Sequence, residues 1–517
     1  MTKRYYPRGG ANYLNRHAKT LLASALILAL NSAQANVLTP PTDATWDSPG
    51  QWKDQNSFYL TSQASFDEID ANISPYIQWD EYFVDVEGEN ASLEITGKTY
   101  LRSESNTIIG DEKDDIGTYA FHANEGAEIR LRGDIDITVV HAVPSGQQLV
   151  AIGANGFYAQ GGGIIEIGSE GTTSRAWVLA AKPDVLSAKN GGTIIINSVH
   201  NMFVGSIDTL GIPYAILDPN QNPADGFGTV KGTFSGSDSY WFGDEQSWLN
   251  VKLIEGSEKI KELFNKAQQA ATEHEKIELI FEDGAQWSYL NVNDVYSKTI
   301  YGSNVTIQFT PKRISSITLR NRGIINLFDE DLQHKWDEIG LSNKLENPVV
   351  NHDYVRIGDL KGSDGIFRLD LDSDDPKKSD MIFIEGSSEE TTTRHWIEPY
   401  HPSQLMSVSA DNTLTFALTQ KDANNVTFAD KMNIYGKTLY DYELYVNSDT
   451  IDKQDLAILE EQIKSNYTDF GEFDDDDSSA DQSYREDYLG GTEWFIDRVV
   501  VSKSAATVGV NNAGWAA

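Results

Sequence analysis

Three groups of residues in this 517-residue chain have types and spacings that could do chemistry. Arg132-Gly133-Asp134 is an integrin-type cell-adhesion tripeptide, a cation and a carboxylate held apart by one glycine. Glu128, Arg130 and Glu166 sit at alternate positions of short apolar-polar runs, where they would point away from a core. Asp474 through Asp477 form an acidic run, but consecutive aspartates lack the spaced ligands of a calcium loop. Other chemistries lack their residues. The sequence contains no Gly-x-Ser-x-Gly elbow, no Gly-Asp-Ser-Gly stretch, no His-Glu-x-x-His and no phosphate-binding loop. Its nine His are scattered, and the lack of Cys excludes disulfides and thiolate metal sites. No catalytic residue, cofactor or metal is therefore assigned. A polysaccharide-active site on stacked coils would need acids or bases aligned on adjacent coils. Glu128 with Arg130, then Glu166, then Ile195 do not supply that alignment.

The elements that position these residues repeat. Phe121-His122-Ala123-Asn124-Glu125-Gly126-Ala127-Glu128-Ile129-Arg130-Leu131 returns as Phe157 to Ile167 and again as Leu186 to Ile196. The template is a large apolar residue, Ala two later, Gly five later, and Ile or Leu at eight and ten. Each copy reads as a short strand, a tight glycine turn and a second strand of alternating pattern. Such units bury their apolar faces only by stacking, so the pattern predicts an all-β fold, a right-handed parallel β-helix. Arg132-Gly133-Asp134 directly follows the last inward position, Leu131, which places it at a strand end or turn. Coils are expected from about 91 to 345, after an N-terminal cap with first coils at 36–90. One helical insertion is expected at Glu258 to Glu278, where Ile260, Leu263, Phe264 and Ala267 recur at helical spacing. A second is expected at Asp452 to Tyr467.

Formal net charge is −37, which argues against a nucleic-acid partner and against attraction to anionic lipid. Residues 1–35 have the form of a secretory signal: Lys3, Arg4, Arg8, Arg16 and Lys19, an apolar stretch from Leu21 to Leu30, then Ala33-Gln34-Ala35. No later run of about 18 apolar residues predicts a transmembrane helix.

Segment 284–500 carries a more specific pattern. Gly284-Ala285-Gln286-Trp287 is followed by Ile314-Ser315-Ser316-Ile317-Thr318-Leu319 and Gly323-Ile324-Ile325-Asn326-Leu327. Then come Gly365-Ile366-Phe367-Arg368-Leu369, Ser379-Asp380-Met381-Ile382-Phe383-Ile384, Tyr440-Asp441-Tyr442-Glu443-Leu444 and Trp494-Phe495-Ile496. In this order, over roughly 200 residues, they resemble the closing coils and type 1 autochaperone module of pertactin-type autotransporter passengers. The resemblance implies an exported passenger, at the cell surface or outer membrane or released, with an autochaperone-like module at 346–500. In it Phe367, Phe383, Tyr440, Tyr442, Trp494 and Phe495 would form a folding nucleus. The chain departs from the family in an insertion at 447–491. It ends at Gly514-Trp515-Ala516-Ala517, where residues 501–517 read as the start of a linker, so the translocator barrel is expected to be absent from this chain.

The sequence thus reads as a non-enzymatic adhesin or interaction protein whose partner is a host or bacterial surface ligand. The alternatives are a carbohydrate-active β-helix enzyme, either a lyase or a hydrolase, and a truncated autotransporter remnant.

Overall fold

In the computed structural model, described for residues 37–38, 51–53, 57–73, 82–105, 118–145, 148–151, 154–169, 175–210, 226–289, 295–300, 303–310, 312–328, 334, 354–434, 440–452 and 487–503, the repeated template becomes one corner of a coil. Thr118–Asn124 and Glu128–Leu131 are strands, and between them Glu125 and Gly126 both adopt positive φ, 53° and 80°. Gly162 and Gly191 take the same role in the next two copies, at φ 79° and 82°. The template glycine is required there because a side chain strains that backbone conformation.

Up to the strand Ile366–Leu369, each coil contributes a strand to each of three faces. The second face is a sheet of nine strands in chain order, Gln63–Phe66, Ser92–Ile95, Glu128–Leu131, Ile164–Ile167, Thr193–Ile196, Thr229–Ser235, Lys276–Glu282, Ile317–Leu319 and Leu360–Lys361. All its pairings are parallel. The fold is an all-β parallel solenoid with little helix. Its stacking starts ahead of residue 91, with Phe58 opposite Val84. It runs past residue 345, to His395 opposite Phe428.

Inward positions form columns because a parallel ladder sets residue above residue. On the first face Phe58, Val84, Phe121, Phe157, Leu186 and Ile207 are successive partners. On the third face the column is Phe203, Trp241, Trp287, Ile325, Phe367 and Ile397. All twelve are buried in one continuous core. Phe121 and Phe157 stack with centroids 5.4 Å apart, Trp241 and Trp287 at 5.8 Å.

The helix lies between the first-face strand Glu245–Gln246 and the second-face strand Lys276–Glu282. It spans Glu258–His274, shorter than expected from the sequence, and the Ser257 side chain caps it by accepting from the Ile260 amide. Beyond it, Ile277 and Leu279 alternate inward with exposed Lys276 and Glu278, a strand rather than a helical pattern. It lies against the stack and does not project from it. Ile260, Phe264, Ala267 and Ala271 pack with Phe227, Trp248, Val251 and Phe309, whereas Leu263 is only half-buried. The Glu275 carboxylate accepts from the Thr209 hydroxyl at 2.7 Å and from the Trp248 and Leu249 amides at 3.2 Å. Burial outweighs those bonds and pushes its pKa up to about 8.

At the C-terminal end the pairing changes sense. Leu414–Thr419, which stacks in parallel on Met381–Ile384, pairs antiparallel with Thr492–Lys503. That strand pairs with Tyr440–Thr450, and Tyr440–Thr450 with Lys431–Ile434. Asn447 to Thr450 remain in register up to Thr450 opposite Thr492, so they belong to the strand and not to the expected 447–491 insertion. The second expected helix and the run Asp474 to Asp477 lie outside the described residues, apart from Asp452. So do the proposed signal and the C-terminal 504–517.

The inward assignment predicts unequal mutational costs. Phe157→Ala should cost about 3–5 kcal/mol. Tyr440→Ala, at a position 46% exposed, should stay within about 0.5 kcal/mol. Equal denaturation midpoints for the two variants would refute it.

Candidate functional site

The outward positions of the first face carry a polar column that the sequence reading did not find. Tyr59, Asp85, His122, Tyr158, Ser187, Asp208 and Gln246 are successive register partners on seven adjacent coils. They alternate with the buried residues Phe121, Ala123, Phe157, Ala159, Leu186 and Ala188. The alternation of a strand therefore sets them on the outer side.

The groups engage one another across coils. His122 Nδ1 lies 2.7 Å from Asp85 Oδ1, and His122 Nε2 lies 3.1 Å from Gln160 Nε2. The Tyr158 hydroxyl donates to Gln160 Oε1, so the Gln160 amide is left to donate to His122 Nε2. His122 then donates from Nδ1 to the Asp85 carboxylate, one continuous direction of donation. The rings stack as well: Tyr119 on Tyr158 at 4.6 Å and His122 on Tyr158 at 5.0 Å.

Further along, Lys189 forms an ion pair with Asp208, and the Asp184 carboxyl hydrogen-bonds Asp208. Burial, and then the Asp208 charge, raise the Asp184 carboxyl well above the usual range. Burial alone would lower the Lys189 ammonium; Asp208, Tyr119 and Asp184 reverse that and hold it cationic. Burial raises the Tyr119 and Tyr158 phenols.

Chemically, the column combines a carboxylate–imidazole pair with a cation set among two carboxyl groups. His122, Asp184 and Asp208 are each no more than 5% exposed, and His122 Nε2 already accepts a hydrogen bond. The arrangement joins coils through polar contacts among its own groups. It does not present a base or acid at an open groove. Among the described residues, no group of three or more His, Cys, Asp and Glu side chains could hold a metal ion.

Arg132-Gly133-Asp134 sits at the corner between the second and third faces. The Arg132 guanidinium bridges two coils, donating to Glu166 at 2.7 Å and Glu94 at 3.4 Å. Gly133 closes on the previous coil, since a Cβ there would lie 2.2 Å from the Gly97 carbonyl oxygen. Asp134 is exposed and its carbonyl accepts from the Thr99 amide. Glu94, Arg130 and Glu166 form a column of alternating sign, with Ile195 next, so Glu128, Arg130 and Glu166 build no acidic cluster.

The six nucleus residues separate by position. Phe367, Phe383 and Tyr442 are buried. Trp494 is partly buried and packs on Phe428 at 5.4 Å, and Phe367 meets the same Phe428 ring at 5.7 Å. Phe383 belongs to a neighbouring group with Tyr354 and Tyr488. Tyr440 and Phe495 do not join the core. Tyr440 stands at the strand's first residue, opposite Lys503, beyond the core's edge. Phe495 lies between Trp494 and Ile496 in an extended strand, faces the other side and is half-buried. Phe416 and Phe428 complete the cluster, centroids 5.1 Å apart, and the sequence reading had missed both.

No family model matches the chain, and no curated protein sequence matches it.

His122→Ala should lower stability by about 1–3 kcal/mol, because Asp85 and Gln160 lose their partner. Combining it with Asp85→Ala should cost less than the sum of the single variants. Additive losses in chemical denaturation would reject the coupling. Because Arg132 is held in the stack, Asp134→Glu should leave cell adhesion by the purified protein unchanged. A loss of adhesion would restore the tripeptide as a recognition motif.

Proposed function

We propose that the chain is an exported passenger of the pertactin autotransporter type, a non-enzymatic adhesin or surface-interaction protein whose C-terminal module promotes folding of the rest. Its winding is taken as right-handed, the hand that parallel strand crossovers adopt. The observation that carries the reading is the unlike C-terminal end. Parallel coils pass into an antiparallel sheet, and Phe367, Phe416, Phe428, Tyr442 and Trp494 concentrate aromatic burial where the two meet. Ordering that end first gives the next coil a template, and each further coil gains an interface while ordering only itself.

The signal-like segment 1–35 supports export, and the net charge of −37 argues against a nucleic-acid ligand. Among the described residues no helix is long and apolar enough to cross a membrane. A carbohydrate-active site is the second reading, and the first-face column with acids and His122 on adjacent coils is what favours it. Its groups are directed at one another, so the interaction-protein reading is preferred. Release of oligosaccharides by the purified protein would reverse that preference.

The folding role is tested on the full chain. Trp494→Ala and Phe367→Ala should each slow refolding by about tenfold or more and leave the upstream coils open to protease. Phe121→Ala, far from the module, should act mainly on the unfolding rate. Unchanged refolding rates in both module variants would sink the nucleus assignment.

A further inference from the structure

The aromatic core of the C-terminal module contains one residue that does not match its surroundings. His395, in the strand Thr393–Pro399, points inward and has no solvent exposure. Neither ring nitrogen has a hydrogen-bond partner. Its neighbours are apolar. The Phe367 ring lies 5.9 Å away and the Phe428 ring 6.4 Å away, with Phe428 its register partner on the next coil. Gly365 closes the cage, since a Cβ there would stand 2.8 Å from His395 Nδ1.

We infer that His395 is an acid-sensitive latch: protonation of this one buried imidazole opens the aromatic core that joins the last coils to the antiparallel cap. A neutral imidazole is tolerated there because its polar atoms are few. An imidazolium would need two acceptors, and none is within reach.

The charged groups around it do not compensate. On the side of Ile366–Leu369, Asp364 is exposed, and its field favours the proton but does not overcome burial. Arg368 on that strand pairs with Glu398. Val426–Phe428 brings no charged residue, and neither does Leu414–Thr419. On its own strand Arg394 is exposed and pairs with Asp430. Burial accordingly pushes the His395 pKa down to about 4 from the ordinary 6.5.

The sign follows directly. Between these two values the open state binds a proton that the closed state does not, so closure weakens as pH falls. From pH 7 to pH 5 the opening equilibrium should rise about twentyfold from this group alone. The latch depends only on the cap's structure. Its effect on folding of the whole chain rests on the nucleus assignment above.

The test is native-state hydrogen exchange of the full chain at pH 7 and pH 5, corrected for intrinsic rates and read on 414–434 and 492–503. The wild type should show the roughly twentyfold rise, and His395→Phe, which keeps an aromatic ring in the cage, should lose it. His395→Leu serves as the second variant. A rise that persists undiminished in a folded variant would overturn the latch. If neither variant folds, carbon-13-labelled histidine NMR of the wild type decides. A ring still neutral at pH 5 supports the latch, and a ring titrating near 6.5 rejects it. Refolding rates at the two pH values separate the claims: a cap that opens in acid while refolding keeps its rate would retain the latch and reject the nucleus.

Discussion

Every other feature of this molecule depends on the hydrogen bonds that join successive coils in parallel, residue above residue. Once Phe121 pairs with Phe157, the residue after each must pair as well, and His122 is set beside Tyr158. A slip by one position would turn every inward side chain outward. The same constraint that builds the core therefore builds the polar columns on its outside. It also explains where insertions are tolerated. The helix Glu258–His274 and the antiparallel pair Val295–Ile300 with Ser303–Phe309 enter between strands of different faces, where they interrupt no ladder.

Buried polarity is handled differently along the stack. In the middle coils, Asp85, His122, Gln160 and Tyr158 complete one another, and Asp184, Asp208 and Lys189 do likewise. Toward the end, Glu385 is clasped by Arg313 and Arg356 at 2.8 and 3.1 Å, and these cations hold its carboxyl down to about 2 against burial. His395 is unlike both, because neither of its nitrogens has a hydrogen-bond partner and its ring packs among aromatic rings. The polar networks tie coils together, and His395 sits at the joint with the cap.

The inward columns were legible because their signal is hydrophobic and local. Phe121, Ala123, Gly126, Ile129 and Leu131 recur as one template, and the strand alternation and turn conformation follow from residue type. The first-face polar column was not legible. Asp85 and His122 are 37 residues apart, and the spacing changes from coil to coil with the loops, so no fixed offset in the sequence marks the pairing. Sequence reasoning compared outward residues within the repeat template on the second face, where the register sets Arg130 beside Glu166. Among the described residues, helix and strand were confused at Lys276 to Glu278, where a few residues fit both periods. Tyr440 looked like core because aromatic content alone does not show where a core ends. His395 escaped notice because a single histidine carries no pattern; its meaning comes from rings on two other coils.

The change of pairing sense at Leu414–Thr419 has a consequence for assembly. A parallel stack has two unlike ends, and the exposed strands of one end are complementary to those of the other. Copies with both ends open could join head to tail, a heterologous contact that never closes on itself and grows into a filament. Here Thr492–Lys503 occupies the edge of Leu414–Thr419 and runs opposite to the strand a new coil would add there, with Tyr440–Thr450 lying beyond it. On that face one mate of the joint is thereby removed in every copy. Blocking a single end is sufficient, because head-to-tail growth requires both.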